Sequence, residues 1–182
     1  MNAPPGDPVE IRPLVPQDAE EMLALALRNR AHLESWEPLR DETWLTLEAQ
    51  RRALERAVAL REAGRGYRFA IVAGARIVGA VGLNEVVRGA FQNAYLGYWV
   101  DVGSTGRGHG TQGVRLAVGF AFEEAQLHRV QAAIMPRNAA SISAVEKVGF
   151  RREGRALRYL CIAGVWEDHY LFALTREEWP GA

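Results

Sequence analysis

The stretch Ser104-Thr-Gly-Arg-Gly-His-Gly-Thr-Gln-Gly113 decides how this chain is interpreted. It follows a segment with strand character over 93–100 and precedes a segment over 108–126 in which small apolar residues recur at helical spacing. Glycines let the backbone approach a ligand closely, and the free N–H groups at a helix start attract phosphate. The stretch, called the glycine loop below, therefore predicts a phosphate-binding site between a strand and a helix.

Two known phosphate motifs and a plain turn are the first alternatives. Gly108-x-Gly110-x-x-Gly113 matches the dinucleotide fingerprint, which also needs an acidic residue at the end of the following strand. The following strand, predicted over Arg129–Met135, ends without one. A nucleoside-triphosphate loop would end in Gly-Lys-Ser/Thr, which the glycine loop lacks. A dinucleotide site and a glycine-rich turn without a ligand stay open at this point.

Hydrophobic periodicity predicts the other elements of the chain. A short strand starts at Val9, a helix runs from Pro16 to about Arg30, and an amphipathic helix runs from Thr43 to Gly64. A hairpin over 67–83, a short helix over 138–148 and two strands within 150–174 complete the pattern. The order β-α-α-β-β-β-α-β-α-β-β predicts a mixed α/β (α+β) fold. Residues 1–8 are predicted to be a flexible tail, and residues 9–182 a single domain.

Composition excludes several classes of protein. The 22 basic and 22 acidic residues among 182 give a net charge of zero, so no global field attracts nucleic acid or a membrane. No apolar run reaches the length of a membrane span, and no secretion signal is recognisable, so we expect a cytoplasmic protein. The lone Cys161 allows no internal disulfide and suggests no metal site.

Several motifs together resemble the GCN5-related N-acetyltransferase (GNAT) superfamily. Thr105-Gly-Arg-Gly-His-Gly110 is similar to the family pattern Gln/Arg-x-x-Gly-x-Gly/Ala, with Thr105 in the place of Gln or Arg. Asn138-Ala-Ala-Ser141, Glu146-Lys-Val-Gly-Phe150, the Gly-Tyr-Trp at 97–99 and Trp36-Glu-Pro38 resemble the ribosomal-protein N-terminal (Rim-type) branch. The resemblance covers nearly the whole chain. It implies a mostly antiparallel central sheet of about seven strands with helices on both faces.

The resemblance also implies acetyl-CoA as cosubstrate and a set of residues that bind it. In this family, the fourth strand separates from the fifth and exposes backbone N–H groups to the thioester and the pantetheine. Arg107 could supply the positive charge that Thr105 lacks. The predicted coenzyme-binding residues are Trp99, Val100, Val102, Arg107, Gly108, His109, Gly110, Thr111 and Asn138.

Two residues are candidates for the chemistry. Asn138 and Ser141 lie one helical turn apart, and the resemblance places that face near the sulfur, so Ser141 is predicted to protonate the leaving thiolate. Alternatively, Asn138 is only a helix N-cap and Ser141 only a solvated serine. Glu85, after Asn84 at a strand end, is the leading candidate for the general base, with a water chain or a solvated carboxylate as alternatives.

The acceptor site is predicted from aromatic residues near loops and helix starts. Trp36, Trp44 and Tyr98 are expected to form its walls together with Asn84. Tyr98 and Trp99 should point to opposite faces of their strand, and one of them is expected to lie in the core.

The predicted activity is direct attack of a primary amine on acetyl-CoA, through a tetrahedral intermediate and without an acetyl-enzyme. The predicted acceptor is a protein N-terminal amine; a small amine such as a polyamine, amino sugar or amino acid is the alternative. A coenzyme A sensor or interaction module without turnover is the alternative outside enzymes. No metal is expected, and the resemblance is compatible with a homodimer.

Overall fold

Seven strands of the described residues pair into one sheet. The computed structural model of the chain describes residues 8–40 and 42–181. The strands are β1 (Val9–Pro13), β2 (Tyr67–Ala73), β3 (Arg76–Val87), β4 (Asn93–Val100), β5 (Arg129–Ile134), β6 (Arg151–Ile162) and β7 (Val165–Thr175). Their order in the sheet is β1-β2-β3-β4-β5-β7-β6, and every pairing is antiparallel except that of β4 with β5. The predicted mixed, mostly antiparallel sheet is confirmed.

In the described part of the chain, four α-helices cover the sheet: α1 (Ala19–Leu33), α2 (Leu47–Glu62), α3 (His109–Glu123) and α4 (Ala139–Val148). Several predicted helix boundaries were wrong by three or four residues. A 3-10 turn occupies Pro16–Asp18 before α1, which extends to Leu33 rather than Arg30. The second helix begins at Leu47 instead of Thr43, because the Thr46 hydroxyl accepts the N–H of Ala49 and caps the helix there.

The core has two layers, one on each face of the sheet. Helix α3 packs on one face, where Val114, Val118 and Phe122 meet Ile71 and Leu83 in the larger cluster. Helices α1 and α2 cover the other face, with a smaller cluster from these helices, β2 and β3. Burial of these side chains supplies the main driving force for folding, and it fixes which face each strand residue occupies.

Helix α3 lies close to the sheet because of one glycine. A Cβ at Gly113 would come within 2.6 Å of the Ile71 Cδ1 atom, so this turn of the helix has no room for a side chain. The first turn of α3 is thereby held over β2 and the neighbouring strands.

Strands β4 and β5 separate after a short contact. They pair only at 93–95, although β4 continues to Val100. The Asp101 N–H donates to the Val78 carbonyl at 2.8 Å, which fixes the phase of the β3–β4 ladder. Because the direction of the N–H groups alternates along a strand, those of Tyr98 and Val100 point away from β3. They face the gap that opens between β4 and β5.

Tyr98 and Trp99 divide between the two faces. Both are half-buried; Tyr98 packs against the cluster beneath α3, and Trp99 packs against the cluster beneath α1 and α2. The prediction that they point to opposite faces is confirmed, but neither is fully buried in the core.

Candidate active site

The glycine loop leads into the N-terminus of α3, next to the gap between β4 and β5. Gly106 and Gly108 have φ values of +74° and +80°, a left-handed conformation that side chains disfavour. A Cβ at either position would meet nothing within 4 Å, so this side of the loop is open. The loop thus offers free helix-terminal N–H groups beside open space, which suits the pyrophosphate of a coenzyme.

Gly110 connects this loop to β4. A Cβ there would lie 3.1 Å from Tyr98 Cε2 and 3.2 Å from Val100 Cγ2, so the first turn of α3 rests directly on these two residues. The phosphate-binding end of α3 and the unpaired N–H groups of β4 are therefore neighbours. This is the arrangement that a long ligand with a phosphate end and a reactive end would need.

A buried polar network holds the start of the loop. The Asn29 side chain is fully buried; its Oδ1 accepts the Val102 N–H at 2.7 Å and its Nδ2 donates to Asp101 Oδ1 at 2.8 Å. Arg28 Nε donates to the same carboxylate oxygen at 2.9 Å. Burial would raise the pKa of Asp101, but the hydrogen bonds from Arg28 and Asn29 outweigh it, and the pKa is lowered.

This network changes the assignment of the β4 donors. The Val102 N–H is already bonded to Asn29, and the Trp99 N–H points toward β3 by the alternation described above. Among the predicted backbone donors Trp99, Val100 and Val102, only Val100 directs its N–H to the gap. Tyr98, which was not predicted as a backbone donor, also directs its N–H there. The direction of each N–H along β4 could not be predicted from the sequence.

The side chains of the loop take different positions. Arg107 is exposed next to the open face, whereas His109 is buried and its Nδ1 has no partner among the described residues. Thr111 lies half-buried in the first turn of α3. The Thr105 hydroxyl donates to the Val102 carbonyl at 3.0 Å and stabilises the loop.

Two hydroxyls meet at the gap between α4 and β4. Tyr98 Oη and Ser141 Oγ are 3.0 Å apart, and Asn138 Oδ1 accepts the Ser141 N–H at 3.1 Å. Asn138 is thus the N-cap of α4, which confirms this part of the alternative. Ser141 is more than a solvated serine, because its hydroxyl bonds to Tyr98. Burial raises the pKa of Tyr98 more than the Ser141 hydrogen bond lowers it, so the phenol is protonated at neutral pH.

A second group of predicted residues lines a cavity on the α2 side of the sheet. The cavity has a volume of about 1190 Å³ between α2 and the ends of β2 and β3, and Trp44, Asn84 and Glu85 all line it. Glu85 is exposed and has a φ of +49° at an irregularity in the β3–β4 ladder. Burial first, and then the charges of Tyr95 and Glu85, raise the pKa of Tyr159.

Trp36 belongs to a loop that closes over the β6–β7 hairpin. Arg137 lies 4.8 Å over the Trp36 ring and donates to the Ser35 carbonyl at 3.0 Å. The Ala163 N–H donates to the Glu37 carbonyl at 3.0 Å. The structure therefore brings Trp44, Asn84 and Glu85 together, while Trp36 lies against the hairpin, and Tyr98 and Ser141 lie on the α3 side.

The described residues contain neither a group of side chains that could hold a metal ion nor a helix that could cross a membrane. Outside residues 1–7, 41 and 182, no group of three or more His, Cys, Asp and Glu side chains could hold a metal ion. Over the same described ranges, no helix combines the length and the apolar character that crossing a membrane requires.

Comparisons with known proteins agree with this geometry. Residues 9–151 match the model of the acetyltransferase (GNAT) domain family. The chain is 40% identical to the Bacillus subtilis "Probable N-acetyltransferase YjcK" over 95% of this chain and 97% of that protein. It is 32% identical to the Escherichia coli "[Ribosomal protein uS5]-alanine N-acetyltransferase", covering 96% of this chain and 92% of the relative.

A solved structure reproduces the fold over almost the full length. "Mycobacterium smegmatis RimJ in complex with CoA-disulfide" superposes with a TM-score of 0.93 at 34% identity, over 98% of this chain and 87% of that one. The glycine loop beside the separated strands β4 and β5, the family match and the relatives lead to one assignment. The chain belongs to the GNAT acetyltransferases and is an acetyl-CoA-dependent N-acetyltransferase.

Proposed function

We propose that this enzyme acetylates the α-amino group at the N-terminus of a protein. The observation that carries the proposal is the adjacency of three features: the glycine loop, the gap-facing N–H groups of β4 and the Tyr98–Ser141 hydroxyl pair. The relative named for alanine acetylation of ribosomal protein uS5 supports a protein N-terminus as the acceptor.

The donor side is built for a phosphate end and a carbonyl end. The N–H groups of Gly108, His109 and Gly110 at the start of α3 would bind the pyrophosphate, and the exposed Arg107 adds a positive charge. Because the gap-facing N–H groups of Tyr98 and Val100 lie about 6.6 Å apart along the strand, one of them would hold the thioester carbonyl oxygen and stabilise negative charge on it, and the other would bind the pantetheine. Bound acetyl-CoA supplies an activated thioester, which an amine attacks directly.

The leaving sulfur needs a proton, and two hydroxyls are close to the gap. Ser141 Oγ bonds to Tyr98 Oη, whose raised pKa keeps the phenol protonated. Ser141 would donate its proton to the sulfur as the C–S bond breaks, while Tyr98 stays protonated and stabilises the serine oxygen through its hydrogen bond, and solvent returns a proton to Ser141 before the next turnover. Asn138 fixes the backbone of Ser141 through its capping hydrogen bond.

The acceptor enters from the opposite face, through the cavity beneath α2. At about 1190 Å³ and open to solvent, it exceeds the roughly 300–1,000 Å³ of small-molecule pockets, which favours a peptide over a free amine. Trp44 and Asn84 line the path, and Glu85 at its rim accepts the proton of the amine directly or through water. An enzyme acting on ribosomal proteins would work in the cytoplasm. The predicted homodimer stays a prediction.

The test compares acceptors and follows free thiol together with product mass. Purified enzyme and acetyl-CoA receive a peptide with a free N-terminus, the same peptide with a blocked N-terminus, or spermidine. Thiol release and a gain of one acetyl group only with the free peptide are expected. Turnover with spermidine alone would favour the small-amine alternative, and binding of acetyl-CoA without thiol release for any acceptor would favour the sensor.

A further inference from the structure

Arg68 is a cation on the acceptor face that has no hydrogen-bonded or ion-paired anion among the residues that the structure describes. It lies on β2 with the residues that face α1 and α2, is half-buried, and lines the cavity beneath α2. Its side chain makes no hydrogen bond or ion pair with any residue of 8–40 or 42–181. The carboxylate of Glu37, whose charge acts on Arg68, is already paired with Arg40 at 2.9 Å.

The surroundings of this guanidinium are unfavourable to its charge. Burial, and then the positive charge of Arg40, lower the pKa of Arg68, and Glu37 compensates only in part. A partly desolvated charge without a counter-ion raises the free energy of the folded state. Such a group gains most from an anion that arrives with a ligand.

Arg68 lies in register with a residue of β4 across the sheet. Arg68 pairs with Gly82, and Gly82 pairs with Gly97, so the three residues form one row across β2, β3 and β4. The two glycines place no side chain in this row, and Asn84 is the neighbour of both, with its amide nitrogen 3.4 Å from a Cβ position on Gly97. Two strand spacings put Arg68 about 10 Å from β4.

The charged residues that line the cavity add to the case for an anionic ligand. Four are arginines and two are glutamates, and Glu48 is already paired with Arg52. The charged lining residues are Glu48, Arg52, Arg56, Arg65, Arg68 and Glu85. The cavity is therefore positive overall, although the whole chain is neutral.

We propose that Arg68 binds the carboxylate of an aspartate or glutamate near the N-terminus of the acceptor protein. This inference rests on the proposed function, because it takes the acceptor to be an extended N-terminal segment. An extended chain advances about 3.3 Å per residue, so a side chain at the second to fourth residue spans the 10 Å from the amine at β4. Arg68 thereby determines specificity, and it takes no part in the acetyl transfer.

The experiment uses two peptides that differ only by glutamate or glutamine at position 3. We measure kcat/KM for both with the wild type, Arg68→Met and Arg68→Lys, and the binding of both peptides to the enzyme with coenzyme A by calorimetry. Arg51→Met is the matched control, since Arg51 is an exposed arginine of α2 outside the cavity lining. Melting temperature and acetyl-CoA affinity verify that each variant is folded.

We expect the wild type and Arg51→Met to prefer the glutamate peptide about tenfold, mainly through KM. Arg68→Met should reduce this preference to within about twofold, and Arg68→Lys should retain part of it, because lysine keeps the charge but not the planar fork. Equal use of both peptides by the wild type, or an unchanged preference in folded Arg68→Met, would overturn the inference.

A wrong proposed function would give a different experimental result from a wrong role for Arg68. If neither peptide is acetylated, the proposed acceptor is wrong, and calorimetry still tests Arg68. Preferential binding of the glutamate peptide that Arg68→Met abolishes supports the anion site. Equal binding of the two peptides, or binding of neither, refutes it.

Discussion

Removal of the Asn29 side chain is the sharpest test of how the glycine loop is held. Asn29 is fully buried and bonds to Asp101, to the Val102 N–H and to the Leu25 carbonyl, with all three distances between 2.7 and 2.8 Å. Asn29→Ala removes the three hydrogen bonds together and leaves one donor and two acceptors without this partner.

The magnitude follows from these contacts. At about 1 kcal/mol per hydrogen bond, Asn29→Ala should lower the free energy of unfolding by about 3 kcal/mol. For a domain of this size, that corresponds to a fall in Tm of about 6–12 °C. Because the Val102 N–H bond orders the loop, losing it should also weaken acetyl-CoA binding about fivefold.

Arg28→Ala is the matched control on the same helix. Arg28 bonds to the same oxygen of Asp101 as Asn29, but its side chain is 55% exposed. Because the Arg28 side chain is more than half exposed and Asp101 keeps its hydrogen bond from Asn29, the pair should contribute about 0–1 kcal/mol, and the Tm should fall by no more than about 4 °C.

Asn29→Asp separates hydrogen bonding from shape. The new carboxylate can still accept the Val102 N–H, but it replaces the donor to Asp101 with a second negative charge. The pair then shares a proton, so one folded-state pKa is raised, and stability falls as the pH rises through it. Asn29→Asp should therefore lose more stability at pH 8 than at pH 5.

Thermal unfolding by circular dichroism and calorimetric titration with acetyl-CoA measure these effects. An Asn29→Ala protein that melts within about 2 °C of the wild type and binds acetyl-CoA equally well would refute the reasoning. The same holds if Arg28→Ala destabilises the protein as much as Asn29→Ala.

Three further predictions concern other contacts. Ser141→Ala should lower kcat about 100-fold with little change in the acetyl-CoA Kd, and Tyr98→Phe should lower it less; steady-state kinetics with unchanged kcat in both would remove the pair from the mechanism. Gly113→Ala should destabilise the fold by about 1–3 kcal/mol, because its Cβ would lie 2.6 Å from a buried side chain of β2; denaturant titration checks this, and an unchanged midpoint argues against it. The hydrogen bond from Arg12 lowers the pKa of Asp18, so its contribution is present above the ordinary value of 3.8 and disappears as the pH falls through the lower folded pKa. Asp18→Asn should therefore lower the Tm at neutral pH but flatten its decline toward acid, whereas parallel pH curves would contradict the assignment.

Local patterns predicted the elements well because they depend on neighbouring residues. The glycine loop and the capping Asn138 were recognisable from residue type and spacing alone. The start of α2 was not, because the capping bond of the Thr46 hydroxyl overrides the periodicity that begins at Thr43. Helix ends are set by such single contacts, and a stripe of apolar residues does not reveal them.

The site was less predictable because its contacts join distant segments. The Tyr98–Ser141 pair spans 43 residues and the Asn29–Val102 bond spans 73, so no sequence window contains either. Arg68 carried no signal at all, since an arginine in a strand is usually a solvated one. That it has no anionic partner among the described residues can be seen only in the folded chain.

The position of β7 inside the sheet affects how the chain can fold during synthesis. Strand β5 pairs with β7, and within residues 8–40 and 42–181 β6 pairs with no strand except β7, so residues 165–175 join two segments that are made earlier. Strands β2, β3 and β4 form consecutive hairpins with local contacts and can assemble first. On the ribosome, the half that holds the glycine loop can therefore become ordered before the β6–β7 hairpin exists. Until β7 is synthesised, the β5 edge that will pair with it has unpaired N–H and C=O groups. During that interval this edge can pair with the wrong strand.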